Sequence, residues 1–233
     1  MGLNVVMMGP PGAGKGTQAA RLARLRGVPK ISTGDMLRDG IRDRNPVALK
    51  AKALMDMGRL VDDRTMIAIV RERLSRPDTA HGFVLDGFPR TVSQAQALDS
   101  LVASNGNGPL VIVDVTVPED ELVRRLATRR ICESCGTTAD PADPAVPGAA
   151  GCPGCGGTLV QRIDDDARVV LERLRVYEES TRPVLEFYRS RPAFRAVNGA
   201  QSPECVAQEL ESVIEQASAV PASFGRSQSR ESE

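Results

Sequence analysis

Short, continuous apolar runs recur along the chain and alternate with longer segments of helical period. The runs cover residues 3–8, 83–86, 110–117 and 194–197, and each predicts a strand that is buried on both faces. Apolar positions three and four residues apart predict helices between and after these strands. Strands that alternate with helices in this way are typical of an α/β fold with a parallel sheet.

Several helices can be bounded by their terminal residues. Asn45 followed by Pro46 is the pair expected at a helix N-cap and first turn, and Gly58 stands where a C-terminal cap belongs. Asp35 is expected to begin a shorter helix, and Leu25 is expected to face the core from the first helix. The remaining patterns predict helices over about residues 15–26, 62–76, 91–104, 118–130, 164–189 and 203–216.

Two segments depart from this alternation. Residues 131–161 are rich in Gly, Pro, Ala and Cys and have no helical period, which predicts a small inserted module. Residues 218–233 are Ser-rich and aperiodic, which is typical of a disordered tail.

Composition and charge narrow the class of protein. Hydrophobic residues make up 41% and charged residues 26% of the 233 residues, which argues against disorder of the whole chain. The 30 basic and 30 acidic residues balance, so the chain lacks the basic footprint of a dedicated nucleic-acid binder. The basic residues are 26 Arg and only 4 Lys, an excess that fits codon bias. The apolar run at residues 3–8 is too short for a signal peptide or membrane span, so we expect a cytoplasmic protein.

Four of the five cysteines form a pattern that indicates a metal site. They fall in two C-x-x-C pairs separated by 16 residues, each followed directly by a glycine that permits a tight turn. Thiols stay reduced in the cytosol, so this zinc-ribbon spacing predicts a structural Zn²⁺ rather than disulfides. No Lys or Arg occurs in residues 131–161, which argues against a nucleic-acid groove. The predicted ligands are Cys132, Cys135, Cys152 and Cys155, and Cys205 is expected to be a semi-buried helix residue.

A glycine-rich segment at residues 9–17 follows the first strand and opens the first helix. Its glycines allow backbone N–H groups to converge on an anion at the helix N-terminus, and Lys15 can reach the outer phosphates of a nucleotide. Gly16 stands where a Ser or Thr usually follows this lysine, so the usual hydroxyl for Mg²⁺ is absent there. The segment therefore predicts a nucleotide-phosphate site of a restricted kind.

Charged residues elsewhere fit the transfer of a phosphoryl group. Asp86 ends a buried strand, where a carboxylate could hold a metal-bound water, and Arg90 follows in the same turn. Arg125 and Arg129 share one face of a helix, and two further arginines, Arg162 and Arg173, flank an acidic run. Arginines at the edges of an inserted module can clamp a phosphoryl group from several sides.

Taken together, these motifs resemble the adenylate kinases, which are P-loop nucleoside monophosphate kinases. The resemblance extends over about residues 3–215, and its most specific parts are ISTGDMLR and DGFPRT. The matching stretches are GPPGAGKGTQ (9–18), ISTGDMLR (31–38), GRLVDD (58–63), LDGFPRT with Gln94 (85–94), RLATRR (125–130) and residues 161–188.

The resemblance implies a reversible reaction, MgATP plus AMP giving two ADP, by a monomeric enzyme. It implies a three-layer P-loop α/β fold with a five-stranded parallel sheet, a helical AMP-binding insertion and a zinc-ribbon-like lid. The implied core comprises residues 1–31, 62–127 and 166–217, with the insertion at 32–61 and the lid at 128–165.

The resemblance also assigns site residues. The residues implied in catalysis are Lys15, Asp86, Arg90, Arg129, Arg162 and Arg173. Those implied at ATP are Gly12, Ala13, Gly14, Lys15, Gly16, Thr17, Arg125, Arg129, Thr138, Ala139 and Gln201. Those implied at AMP are Thr33, Arg38, Arg59, Leu60, Val61, Gly87, Phe88, Pro89, Arg90, Gln94, Arg162 and Arg173, with Gln94 reading the adenine edge through its amide and Asp86 holding Mg²⁺ through water.

The chain departs from the family pattern at three places. Arg168-Val169 replace a usual Glu-Thr pair, Ala139-Asp140 replace Tyr-His, and Gln201 stands near the place of a lysine. Two alternatives stay open on the sequence. One is a kinase of UMP, CMP or GMP, and the other is a nucleotide-gated zinc-ribbon protein that binds nucleic acid or protein.

Overall fold

The computed structural model describes residues 2–105, 108–139 and 151–218. The strands and helices follow the alternation that the sequence predicts. The strands are β1 (Leu3–Met8), β2 (Lys30–Ser32), β3 (Gly82–Asp86), β4 (Leu110–Thr116), β5 (Arg130–Cys132), β6 (Thr138–Ala139), β7 (Leu159–Val160) and β8 (Phe194–Asn198). The α-helices are α1 (Lys15–Arg26), α2 (Thr33–Arg42), α3 (Pro46–Asp56), α4 (Asp63–Leu74), α5 (Val92–Asn105), α6 (Glu119–Thr128), α7 (Ala167–Val176), α8 (Arg182–Arg189) and α9 (Pro203–Ser218).

The described residues form a five-stranded parallel sheet with the order β2-β3-β1-β4-β8. Strand β1 lies at its centre, and Val5 is in register with Val84 of β3 and Val111 of β4. All three valines are fully buried, as expected for a parallel sheet that is covered on both faces. The carboxyl ends of β1, β3 and β4 therefore meet at one edge, where ligands bind in open α/β sheets.

Helices cover the two faces of the sheet and make two apolar cores. Val6 and Ile112 face a core completed by residues of α4, α5 and α8, whereas Val5 and Val113 face a core completed by α1 and α9. This arrangement confirms the predicted three-layer α/β fold. Among the described residues, no helix combines the length and apolar character needed to cross a membrane.

Some sequence-based boundaries were wrong. Strand β2 was not among the predicted strands, and α2 begins at Thr33 rather than Asp35, because the Ser32 side chain accepts a hydrogen bond from Asp35 N and so caps the helix. Leu25 is 56% exposed instead of facing the core. Gly58 follows α3 with φ of 73°, which confirms its place at the C-terminal cap.

The predicted helix over residues 164–189 is divided into several parts. Residues Ile163–Asp165 form a 3-10 turn, and α7 starts after Asp166, whose side chain caps it. A π-helical turn, Tyr177–Thr181, joins α7 to α8. A pattern of apolar positions does not reveal such a local change of helical pitch.

The inserted module contains a small antiparallel sheet, which the sequence did not predict. Within the residues described, β5 is central and pairs with both β6 and β7. The two- and three-residue strands are too short for an alternating pattern to be read from the sequence. The expected disordered tail and Asp140 lie outside the described residues, apart from Ser218 at the end of α9.

Candidate active site

The glycine-rich segment predicted to bind phosphate, called the phosphate loop below, lies at the carboxyl end of β1. Gly9, Gly12 and Gly14 have φ values of 129°, 87° and 87°, which residues with a side chain rarely adopt. A Cβ on Gly9 would lie 2.4 Å from the carbonyl oxygen of Val115, so the loop packs directly on β4. The N-terminus of α1 begins at Lys15, without a side-chain cap, so its N–H groups stay available to an anion.

Lys15 lies among charged groups from several elements. Its Nζ donates a hydrogen bond to the carbonyl oxygen of Pro10 at 2.7 Å. Burial lowers the pKa of Lys15 to about 8, and the charges of Arg90, Arg173 and Arg129 act in the same direction, whereas the negative charge of Asp86 opposes the change. The predicted carboxylate and three predicted arginines therefore lie close enough to Lys15 to change its pKa.

Asp86 ends β3 beside the phosphate loop. An ideal Cβ on Gly16 would lie 3.3 Å from Asp86 Oδ2, so the glycine after the lysine leaves room beside this carboxylate. A carboxylate oxygen is a ligand that Mg²⁺ accepts directly or through water. The structure thus offers Mg²⁺ a donor on β3 in place of the missing hydroxyl at position 16.

A cleft opens next to these residues. It contains eight residues of the predicted AMP site together with apolar residues from α2, α3 and α4. Its lining comprises Thr33, Gly34, Leu37, Arg38, Met55, Gly58, Leu60, Met66, Gly87, Arg90, Gln94, Arg162, Asp164 and Arg173.

Four predicted AMP-site residues do not line this cleft. Val61 and Phe88 are 9% and 1% exposed and belong to the apolar core, and Pro89 is buried. Arg59 is exposed, and its Nε lies 3.7 Å from Glu172 Oε1. These residues shape the wall of the cleft from behind or from its rim.

The DGFPR turn is held by hydrogen bonds to its backbone. The carbonyl oxygen of Gly87 accepts from Thr33 Oγ1 at 2.9 Å and from Arg90 Nε at 2.8 Å. Thr181, at the end of the π-helical turn, donates from Oγ1 to the carbonyl oxygen of Arg90 at 3.1 Å. The α2 N-terminus, the β3 turn and the α7–α8 junction thereby fix the position of Arg90.

Arg38 is oriented by a local ion pair. Its guanidinium contacts Asp35 Oδ1, and Lys30 Nζ lies 3.2 Å from Asp35 Oδ2. Although partial burial raises it, the pKa of Asp35 is lowered to about 2 by the charges of Arg38 and Lys30. Arg38, which lines the cleft, is therefore held by a carboxylate that stays ionised at neutral pH.

The other arginines are bound by two aspartates that had no role assigned from the sequence. Asp165, whose side chain is fully buried, pairs with Arg129 and Arg173, the latter at 2.8 Å. Asp164 accepts two hydrogen bonds from Arg162, at 2.8 and 2.6 Å. Burial raises the pKa of Asp164, but Arg173 and Arg162 outweigh it and lower the value to about 2.

Two residues predicted at the ATP site, Arg125 and Gln201, lie at the loop that follows β8. Arg125 donates to the carbonyl oxygen of Gly199 at 2.9 Å and to Glu121 Oε1 at 2.7 Å. A Cβ on Gly199 would lie 3.2 Å from the carbonyl oxygen of Ala13, so this loop touches the phosphate loop. Gln201 is exposed, and its amide donates to Glu209 Oε2 at 2.6 Å.

The structure also shows the surroundings of the other residues that differ from the family pattern. Val169 of α7 packs on Gly58 at the end of α3, where a Cβ would lie 3.2 Å from Val169 Cγ1. Arg168 is exposed in the first turn of α7. Thr138 and Ala139 lie in β6, the first exposed and the second 5% exposed, on the ribbon rather than on the phosphate loop.

The four predicted metal ligands converge. The sulfur atoms of Cys132, Cys135, Cys152 and Cys155 all lie within 4.8 Å of one another. The Sγ–Sγ distances of 3.5 Å for Cys132–Cys155 and Cys135–Cys152 are near the ~3.8 Å edge of a tetrahedral ZnS₄ site. Cys205, by contrast, is exposed rather than semi-buried, which corrects the sequence-based expectation.

The two cysteine turns have the same backbone form. Gly136 N donates to the carbonyl oxygen of Cys132 at 3.0 Å, and Gly156 N donates to that of Cys152 at 2.8 Å. Gly136 and Gly156 have φ values of 71° and 74°, which explains a glycine after each second cysteine. The site therefore fits a tetrahedral metal with four thiolate ligands.

Comparison with known proteins agrees with this geometry. A family model described as adenylate kinase matches residues 7–193. The chain is 43% identical over 213 residues to the adenylate kinase of Archaeoglobus fulgidus, a match that covers 91% of this chain and 98% of that protein. The chain belongs to the adenylate kinase family. The adenylate kinase of a Geobacillus species is 45% identical over 212 residues, covering 91% and 98% of the two chains.

Membership of the adenylate kinase family confirms the resemblance read from the sequence and the assignment as a phosphotransferase. What sequence reasoning missed are residues that hold the functional side chains: Asp35, Asp63, Asp164, Asp165 and Thr181. The adjacency of Asp164 and Asp165 to Arg162 was a usable signal. No signal in the sequence pointed to Thr181, because its hydrogen bond joins residues that lie 91 positions apart.

Proposed function

We propose that the protein transfers the γ-phosphoryl group of MgATP to AMP and gives two ADP, reversibly. The observation that carries this proposal is that Lys15 of the phosphate loop lies within electrostatic range of Asp86, Arg90, Arg129 and Arg173, and that Arg90 and Arg173 also line the neighbouring cleft. A phosphoryl group that passes between two nucleotides needs cations on both sides of it. A site that binds two phosphate chains end to end makes use of all of them.

The reaction needs little covalent chemistry from the protein. An oxygen of the AMP phosphate attacks the γ-phosphorus in line, and the bond from that phosphorus to the β,γ-bridging oxygen breaks. Negative charge passes to the β-phosphate of the leaving ADP. The attacking oxygen is already anionic near neutral pH, so no protein base is required.

The cationic side chains would stabilise the charge that spreads over the transferred group. The loop glycines and Lys15 would hold the ATP phosphates, while Arg38 and Arg90 would grip the AMP phosphate. Arg129, Arg162 and Arg173 would close on the reacting group from the base of the ribbon. Closure of the ribbon over ATP would exclude water and so prevent hydrolysis.

Two metals belong to this proposal. Asp86 would hold Mg²⁺ through water, and the ion would neutralise phosphate charge. The four cysteines would hold a structural Zn²⁺ that supplies the folding energy of the small ribbon. This Zn²⁺ would have no catalytic role.

The proposal is tested by a coupled assay with ATP and each monophosphate in turn. ADP formation with AMP, and far slower formation with UMP, CMP and GMP, is the expected result. Preference for another monophosphate would assign a different kinase of the same class. No turnover with any of them would favour the nucleotide-gated ribbon. The division into core, insertion and lid, the cytoplasmic location and the monomeric state stay predictions.

A further inference from the structure

Gln94 is held by a network that its role in base recognition does not itself require. The residue is 2% exposed and lines the cleft. Its Oε1 accepts a hydrogen bond from Arg90 N at 2.8 Å, and its Nε2 donates one to Asp63 Oδ1 at 2.8 Å. Both ends of the amide are therefore engaged before any ligand binds.

These two partners permit one orientation of the amide. Arg90 N can only donate and the Asp63 carboxylate can only accept. Turning the amide over would set two donors against each other at Arg90 and two acceptors against each other at Asp63, and both hydrogen bonds would be lost in a buried place. The donor at Arg90 N and the acceptor carboxylate of Asp63 therefore determine which end of the amide is oxygen and which is nitrogen.

Asp63 is itself fixed. Its Oδ2 accepts from Thr91 Oγ1 at 2.9 Å, and the same hydroxyl accepts from Gln94 N at 3.2 Å. Asp63 is the first residue of α4, where the helix N-terminus favours a negative charge. The carboxylate is thus held on three sides by α4, Thr91 and Gln94.

We infer that Asp63 is a specificity-determining positioning residue, which selects adenine over 6-oxopurines by locking the orientation of the Gln94 amide. An amide has two N–H groups and two acceptor lone pairs, and one of each is used by Asp63 and Arg90. The remaining pair can meet the N1 acceptor and N6 donor of adenine. Hypoxanthine and guanine present the reverse, an N1 donor and an O6 acceptor, so a locked amide opposes them. This inference rests on the proposed function.

The test compares Asp63→Ala with a matched control at the same helix end, Asp62→Ala. Asp62 caps α4 through Thr65 N at 2.9 Å and makes none of the Gln94 contacts above. Affinities for AMP and IMP are measured by calorimetry, kcat and KM by coupled assay, and folding by thermal melting. IMP is the probe because it carries the 6-oxo edge without the 2-amino group of GMP.

We expect Asp63→Ala to lower the AMP-to-IMP ratio of both affinity and kcat/KM by about tenfold or more, with the KM for ATP unchanged. Asp62→Ala should keep the ratio. Asp63→Asn should restore it, since its amide oxygen can accept from Gln94 Nε2. An unchanged ratio in Asp63→Ala, or an equal change in Asp62→Ala, overturns the inference. Tight AMP binding without turnover in the unmutated protein overturns the proposed function alone, because the binding ratio still reports on Asp63.

Discussion

At the scale of single residues, Lys15 gives the most direct test of the electrostatics. Its pKa is lowered to about 8 by burial and by three arginines, so the free protein loses this charge as pH rises through 8. Bound polyphosphate favours the charged form, and ATP binding near pH 8 should therefore take up a proton.

The prediction is that kcat/KM for ATP falls as pH rises above 8, and that calorimetry in buffers of different ionisation enthalpy shows proton uptake on binding. Lys15→Arg should abolish the uptake because arginine stays charged. Lys15→Met should lose turnover by orders of magnitude, whereas Lys50→Met, an exposed lysine, should not. A flat profile to pH 9.5 would contradict a lysine of lowered pKa.

The sequence pointed to the candidate site residues but not to the residues that hold them. Lys15, Asp86 and Gln94 were readable because their types at their spacings form known motifs. The neighbours of Gln94 could not be predicted in this way, because Asp63 is 31 residues away and resembles any acidic residue in the first turn of a helix. Hydrogen bonds between distant segments leave no local pattern.

At the scale of elements, the π-helical turn at Tyr177–Thr181 has a consequence for the site. Thr181 is the last residue of this turn and lies against the β3 turn, where its hydroxyl donates to the carbonyl oxygen of Arg90. Deviations of this kind within a helix frequently accompany functional sites.

Thr181→Val removes this hydrogen bond with little change of shape. We expect the free energy of unfolding to fall by about 1 kcal/mol and the KM for AMP to rise, while the KM for ATP stays unchanged. Urea unfolding and steady-state kinetics measure both. Ser100→Ala, which deletes a hydroxyl bonded to its own helix at Gln96, is the control. An equal effect on both substrates would argue against a role specific to Arg90.

The ribbon is the element that depends most on its metal. Its three strands contain two or three residues each, which is too little apolar surface for independent stability. A strong chelator should therefore make the ribbon sensitive to proteolysis and lower the thermal midpoint, with zinc released in parallel.

Cys132→Ser should reproduce the effect of the chelator on metal content and proteolysis, and Cys205→Ser should not, since Cys205 lies outside the cluster. Metal-free protein with an intact ribbon would falsify the structural role of the ion.

At the scale of the whole molecule, only part of the topology could be predicted from the sequence. The alternation of strands and helices gives a parallel α/β fold, but the strand order β2-β3-β1-β4-β8 depends on which segments pair across long separations. The three-residue β2 is too short to show a period, and it is fixed by its pairing with β3. The family resemblance supplied the five-stranded sheet that periodicity did not.

Asp164 and Asp165 connect the parts of the molecule. Arg129 precedes β5 and Arg162 follows β7, so they lie on the two chain segments that enter and leave the ribbon. The two aspartates join both segments to α7 through Arg173. The ordinary pKa of Asp164 is 3.8, and in the folded protein it is about 2. The stabilisation is therefore complete above pH 3.8 and is lost as pH falls towards 2.

A shift of this size corresponds to about 2 kcal/mol. Asp164→Asn should lower the free energy of unfolding by about that amount at pH 7, and the difference from the unmutated protein should shrink steadily below pH 4 in urea titrations. Asp78→Asn, whose carboxylate is about half exposed where it pairs with Arg73, should cost less because solvent screens it. A difference that is the same at pH 7 and pH 3 would mean that Asp164 acts through packing, and the ribbon would then be joined to the core by shape and not by charge.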